Sequence, residues 1–596
     1  MKQSLGKFNP KVSQMLVGVA TGLLLAGVAC GAAATATPQP TNTPSPPLAQ
    51  VATPAPTARP VAAPTATAAP TPAPVPAPAV SQGKVTVMIG SFANERFDRI
   101  FNSGGNDYAR LIHAFLLDSD VQDGRRLFIP GIATEWRISG DGLTWTLTIR
   151  KGVKFHDGTE VTTEDALWTL QHFMGPQAID YMTAAGSDTR TLSIIMDRIE
   201  QTGPDRVSVT TKAPVLDFPQ SASEAGPAWA GVVLPKRATL HNLEEEAAYD
   251  RNPIGAGMMR LVKHVPADSM TFERFADYYY QPKNGLATDK RVNFTLLDLR
   301  LVPEEATRVA ALRGGDGDIA PVSLASRKQV EAGGGRLVFG QEGVYLFAAQ
   351  LGCWKPQFPC HDKRVRQALA YTIDTKVMQN QLYGGPDVFQ VKGWAGVTPS
   401  TIGYSPELDP FPFDPVKARQ RLAEAGYPGG KGFGKLVINT WVSVATPLMP
   451  ESAQLAADNW RRELGLDVEV KVGDEAAVKK AYSLTEDFHG QIVWRDNEAR
   501  INASGLLRSS WGTPTVPNRA HDDPELFALT AKALAVLDPV ESEKVLNSTY
   551  RRMRDEAYFI TPGYLNIPWG VGPRIRTWQP YPLALYSSAF HTITLK

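Results

Sequence analysis

Residues 130–170, PGIATEWRISGDGLTWTLTIRKGVKFHDGTEVTTEDALWTL, constrain the fold of this chain more than any other stretch. Trp136 and Ile138 alternate with polar residues, and Gly140-Asp141-Gly142 supplies a turn that tolerates positive φ. Leu143, Trp145, Leu147 and Ile149 then alternate with Thr144, Thr146, Thr148 and Arg150, the period-two pattern of a half-buried strand. His156-Asp157-Gly158-Thr159 turns the chain again. Thr162, with Asp165 three residues on, makes a capping box for a helix carrying Ala166, Leu167 and Leu170. Strand, turn, strand, turn, helix is the start of a mixed α/β domain.

The same reasoning organises the rest of the body. Val85, Val87 and Ile89 alternate as a first strand, and a helix is predicted around Tyr108 to Leu117. A strand from Phe294 to Val302, a helix over Ala306 to Arg313 and a strand opening at Asp318 give a β-α-β order, which predicts a parallel pair. Asp362, Asp374 and Asp414 are predicted N-caps. The helix after Asp414 has Pro415 at its first position and Gly426 just past its end. A helix around Ser452 to Leu464 and a strand over Leu466 to Val472 follow.

The N-terminal segment has a different character. Lys2, Lys7 and Lys11 precede an apolar run, Met15 to Ala26, too short to span a bilayer comfortably. The run ends in small residues before Cys30, so residues 1–30 resemble a bacterial lipoprotein signal peptide with Cys30 as the lipid anchor. The alternative is an ordinary signal peptide cut nearby. Fourteen of the fifty-two residues 31–82 are Pro, and most others are Ala, Thr or Val. That composition predicts a disordered, extended tether of at most roughly 160 Å, or a glycosylated stalk of the same mechanical role. The first 82 residues carry four basic and no acidic residues. The remaining 57 basic and 60 acidic residues nearly balance, so no nucleic-acid footprint appears. In an exported protein Cys353 and Cys360 are expected to pair across their short loop; free thiols are the alternative.

No catalytic pattern emerges. Gly-x-Ser-x-Gly and His-Glu-x-x-His are absent. Gly429 to Lys435 has phosphate-loop spacing, but Leu436 stands where Ser or Thr is required. Asp316-Gly317-Asp318 lacks the remaining ligands of a calcium loop. His156-Asp157 reads as a structural turn. We expect no enzyme, no cofactor and no metal site.

The run GLTWTLTIRKGVKFHDGTEVTTEDA closely resembles the signature of the solute-binding proteins of peptide ABC transporters, the dipeptide- and oligopeptide-binding family (bacterial extracellular solute-binding proteins, family 5). Four further stretches resemble that family in its own order: 251–266, 272–279, 361–374 and the Asp-Pro-x-x-Ala-x-x-x-Leu-x-x-Ala-Gly-Tyr pattern starting at Asp414. The resemblance implies a two-lobed periplasmic-binding-protein fold (type II) with an extra inserted domain. Lobe one is expected at 84–123, 243–345 and 561–596, the inserted domain at 124–242 and lobe two at 346–560. It also implies a monomeric, extracytoplasmic receptor that binds a peptide by hinge closure and delivers it to ABC permease and ATPase subunits. The same role for an oligosaccharide or nickel complex, and a sensory or adhesive surface lipoprotein, are the alternatives. Trp494-Arg495-Asp496 looks like the family's Trp-x-x-Asp loop shortened by one residue, which makes Asp496 the candidate for a ligand ammonium group. Tyr345, Trp394, Trp494 and Trp511 are the candidate cleft walls.

Overall fold

The computed structural model describes residues 83–596 apart from 93–94, 98–107, 123–124, 177, 179–191, 226–229, 239, 241, 444–445, 485, 503, 508–521 and 584–585. Cys30, the segment 31–82 and Trp511 therefore lie outside the described residues.

An eleven-stranded mixed sheet runs through the body. Its order is Met259–Val265, Ser269–Arg274, Leu296–Leu301, Lys84–Ile89, Ile319–Pro321, Phe559–Val571, Arg336–Gln350, Ile492–Glu498, Lys435–Trp441 and Asp467–Gly473; Phe389–Gln390 pairs with Phe559–Val571 off this path. The 130–170 stretch folds as its alternation predicts. Ala133–Ile138 and Thr144–Ile149 pair antiparallel, and Arg206–Thr211 and Met196–Gly203 complete a separate four-stranded sheet; the segment 124–242 that holds it is hereafter called the insert. In the capping box the Thr162 hydroxyl accepts from the Asp165 N–H, and the Asp165 carboxylate accepts from the Thr162 N–H.

Two expectations change. The helix predicted over 108–117 ends at Ile112, because His113 is extended and the following residues pair as strands Ala114–Phe115 and Leu117–Gln122. The β-α-β unit does give parallel strands, but Leu296–Leu301 and Ile319–Pro321 are not neighbours. Lys84–Ile89 lies between them and pairs in parallel with both. The helix Glu305–Gly314 is long enough to cross over that intervening strand.

Two large hydrophobic clusters form. One gathers Val85, Leu147, Phe173, Val209, Phe272, Leu299, Trp578 and Phe590, so the insert shares a core with the strands at one end of the large sheet. The other gathers Tyr345, Leu369, Trp394, Trp460, Trp494, Tyr550 and Tyr564. Among the described residues two long strands, Arg336–Gln350 and Phe559–Val571, run through both. They pair antiparallel over Arg336–Gly340 with Val571–Ile567 and again from Val344 with Leu565, with the register broken between. The break falls at Gln341–Gly343, where Glu342 has φ +57°, a left-handed value unfavourable for a non-glycine residue.

His156 and Asp157 are structural. The half-buried His156 ring packs against Phe275, with its Nε2 3.1 Å from the Gly257 carbonyl oxygen, while Asp157 pairs with Arg237. Gly255 and Gly257 are required by close approach: a Cβ there would stand 2.1 Å from Ile112 O and 2.5 Å from Leu111 O. Burial lowers the pKa of His156 to about 4 and that of His591 to about 3. Both rings are neutral in the folded state at pH 7, whereas the unfolded chain protonates them below about 6.5. Stability is therefore full above that value and falls with acidification, by up to about 1.4 kcal/mol per pH unit for each ring until the folded pKa is reached. The melting temperature of residues 83–596 is expected to drop between pH 7 and pH 5. His156→Phe should flatten that slope.

Cys353 and Cys360 are joined as a disulfide with Cα atoms 5.2 Å apart. Closing so short a loop stabilises by about 2 kcal/mol. Reduction is expected to lower the urea midpoint of unfolding, and the Cys353→Ala/Cys360→Ala variant should be insensitive to reductant.

Candidate functional site

The candidate site is the seam where the insert meets the far side of the hinge. The insert contributes the short helix Phe218–Ser221 and the preceding Asp217. The other side contributes the chain after strand Ile492–Glu498, including Asn502, Ser504 and Gly505. The Asn502 N–H donates to Gln220 Oε1 at 2.8 Å, and the Ser504 N–H to Asn502 Oδ1 at 3.0 Å. The two sides meet so closely at Gly505 that a Cβ would lie 2.6 Å from Asp217 Oδ2 and 3.9 Å from Arg500 Nη1. Elsewhere along the seam Arg125 pairs with Glu543, and Phe128 packs against the second core.

Tyr345 lies just past the hinge and is 1 % exposed. It stands opposite Asn497 in the strand register, with its ring tilted against that of Phe347 at 5.4 Å. Burial raises the pKa of its hydroxyl, while Arg500 and Arg495 oppose that shift. Gly396, at φ +93°, comes close enough that a Cβ would be 3.1 Å from the Tyr345 hydroxyl and 2.4 Å from Leu506 Cδ1. The loop carrying Gly396 also carries Trp394, buried against Phe559, with its indole N–H lacking a hydrogen-bond acceptor among the described residues. Gln220 Nε2 and Ser504 Oγ are likewise buried without a partner among the described residues. Orphaned donors of this kind are costly unless something supplies acceptors.

The sequence-predicted residues do not all come together. Side chains alternate along a strand, and Trp494 and Asp496 fall on the face opposite Tyr345 and Asn497. Trp494 is fully buried and donates its indole N–H to Ser452 Oγ at 2.8 Å, on the helix Met449–Leu464. It fills the core there and is no cleft wall. Asp496 accepts from the hydroxyls of Ser443 (3.0 Å) and Thr446, in the loop before that helix. Tyr345 and Trp394 are brought near each other through Gly396. Gln220, Asn502 and Ser504 were not singled out from the sequence, because a lone Gln, Asn or Ser in a loop carries no periodicity to mark it.

At the hinge itself Glu342 is buried, and its carboxylate accepts from the Ser400 N–H (2.9 Å) and hydroxyl (3.0 Å). Its own N–H donates to Asn566 Oδ1 at 3.0 Å. The register break between the two cores is thus tied on both crossing strands.

Residues 128–516 match the family model for the bacterial extracellular solute-binding proteins, family 5. The chain belongs to this family. It is 22% identical over 524 residues to the heme-binding protein A of Haemophilus influenzae, covering 82% of this chain and 86% of that one. It is 26% identical over 424 residues to the glutathione-binding protein GsiB of Escherichia coli O1:K1 / APEC, covering 70% and 76%. Among solved structures it is similar to the periplasmic binding protein DppA of Helicobacter pylori in complex with the peptide STSA. The TM-score is 0.69 at 20% identity, over 86% of this chain and 98% of that one. This family member therefore has the two-lobed periplasmic-binding-protein fold, and the chain is an α/β binding protein of a family of substrate receptors rather than of enzymes. Among the described residues no helix is long and apolar enough to cross a membrane.

Proposed function

We propose that this chain is the peptide receptor of an ABC importer. Its two lobes pivot about Gln341–Gly343 and Asn566, close on a peptide at the Gln220–Ser504 seam, and present the closed form to permease and ATPase subunits. The observation that carries the reading is the pair of crossing strands whose register is interrupted at Gln341–Gly343, between the two cores, and shifts again between Leu346 and Ala348; such interruptions let a hinge absorb backbone rotation. The lobe limits given above go with it, as do a monomeric state and attachment to the outer face of the cell membrane through Cys30. Peptide as the ligand is supported by the glutathione-binding relative, since glutathione is a tripeptide, and by the peptide bound in the Helicobacter pylori structure. In the closed seam the donors Gln220 Nε2 and Trp394 Nε1 suit peptide carbonyl oxygens, and Ser504 Oγ and the Tyr345 hydroxyl can serve either partner of an amide. Asp496 is available to a ligand ammonium only if Ser443 and Thr446 release it.

The test is mass spectrometry of residues 83–596, purified natively, before and after denaturation. Peptides of defined length, released only on denaturation, are the expected result. Release of haem or of an oligosaccharide would keep the receptor and replace its ligand. Full acylation of Cys30 in the membrane fraction, read from the N-terminal fragment, tests the anchor separately.

A further inference from the structure

We infer that the insert is a strut joining the lobe seam to the hinge, with Arg126 as the residue that positions the hinge. The inference rests on the hinge-closure reading above.

A continuous hydrogen-bonded route carries it. At the seam, Gln220 accepts from the Asn502 N–H across the gap. The Gln220 carbonyl accepts from the Ser223 hydroxyl at 2.9 Å, and that hydroxyl accepts from the Ala225 N–H at 3.2 Å. These bonds fix the residue between them, Glu224, whose buried carboxylate binds the Ser119 hydroxyl and the guanidiniums of Arg110 and Arg126. Arg126 is 1 % exposed. Its Nε donates to Ser119 Oγ at 2.8 Å, and its Nη1 donates to the Leu583 carbonyl oxygen. The Leu583 N–H in turn donates to the carbonyl oxygen of Gln341, the first residue of the register break, at 3.0 Å.

Leu583 is itself unusual. Its φ is +53°, a left-handed value unfavourable for a leucine. Its side chain packs in the second core, while Trp578 and Phe590 on either side pack in the first. It crosses from one lobe to the other, held there by Arg126 on its carbonyl and the hinge on its N–H. A guanidinium suits this role because its planar fork holds several acceptors at fixed angles. Any movement of the helix Phe218–Ser221 relative to the hinge has to break or carry this route. Arg110 shares Glu224 but comes from the helix Ala109–Ile112, so it supplies the control.

The experiment uses residues 83–596, ligand-free, with spin labels on Arg137→Cys in the insert and Lys471→Cys at the far sheet edge, both exposed. Pulsed dipolar spectroscopy reads the interlobe distance, and urea unfolding reads stability. Arg126→Met is expected to shift or broaden the distance distribution, while Arg110→Met loses stability and keeps the parental distribution. Arg126→Lys keeps a charge beside Glu224 but not the fork, so it guards against a variant that fails to fold. In Arg126→Lys, amide exchange at Leu583 should accelerate by about tenfold or more, and in Arg110→Met it should not. An unchanged distribution in both Arg126 variants, or equal shifts in the Arg110 and Arg126 variants, overturns the strut. The hinge reading fails independently if solute recovered from the native protein leaves the parental distance unchanged.

Discussion

Gly505→Leu is expected to weaken ligand binding by about ten- to hundredfold while leaving the melting temperature of the empty protein unchanged. The reason lies in which contacts exist in which state. A Cβ at Gly505 would stand 2.6 Å from Asp217 Oδ2, across the seam between the insert and the opposite lobe. Asp217 is itself buried, so its carboxylate has little freedom to retreat. Overpacking of this kind costs about 1–3 kcal/mol. The cost falls on the closed form alone, because opening removes the Asp217 side chain from Gly505. A ligand that selects the closed form then loses that amount of apparent affinity, at about 1.4 kcal/mol per tenfold. Calorimetry with ligand recovered from the native protein, paired with a thermal melt of the empty protein, checks both halves. A large loss of melting temperature would mean that Gly505 supports the fold of its own lobe, and the assignment of the seam would fall.

Glu224→Ala is expected to have the largest effect on stability, about 3–5 kcal/mol. Burial raises the Glu224 pKa, but Arg126 and Arg110 outweigh it and hold the carboxylate below its ordinary range. It therefore stays charged across the working pH range. Removing it leaves two guanidiniums with nine-tenths or more of their side chains buried and their shared counter-ion gone. The neighbouring Lys290 cannot substitute, since its ammonium repels both and already serves Asp118 and the Ser119 carbonyl. Urea unfolding monitored by tryptophan fluorescence measures the loss. Replacing all three charges, with Arg110→Met, Arg126→Met and Glu224→Leu together, should recover much of it, because an apolar set has no desolvation to offset. A loss in Glu224→Ala below about 1 kcal/mol would show that water reaches the cluster and screens it.

Parts of the molecule differ in how legible they are in the sequence. Thr162 with Asp165, Asp414 with Pro415, and the alternation from Leu143 to Ile149 were readable because capping and strand pleating act over a few residues. The helix expected over 108–117 was not, because apolar residues there are buried on all sides and strand pairing with Val232–Val233 and Arg125–Pro130 overrode the local pattern. Trp494 shows the same limit at the site. Its place in a Trp-x-Asp string leaves it open between cleft wall and core, and strand alternation turns it onto the helix Met449–Leu464 and into the core.

The sequence by itself determined the periodic elements, their caps and, through five ordered motifs, the family; these depend on neighbours three or four residues apart or on patterns held in one run of chain. Only the tertiary structure decided where the hinge breaks register, that Gln220 meets Asn502 across the seam, and that Arg126 reaches Leu583, 457 residues away. No local preference encodes such pairs. They exist because two cores, joined by two strands, bring together polar side chains that must find partners once water is excluded.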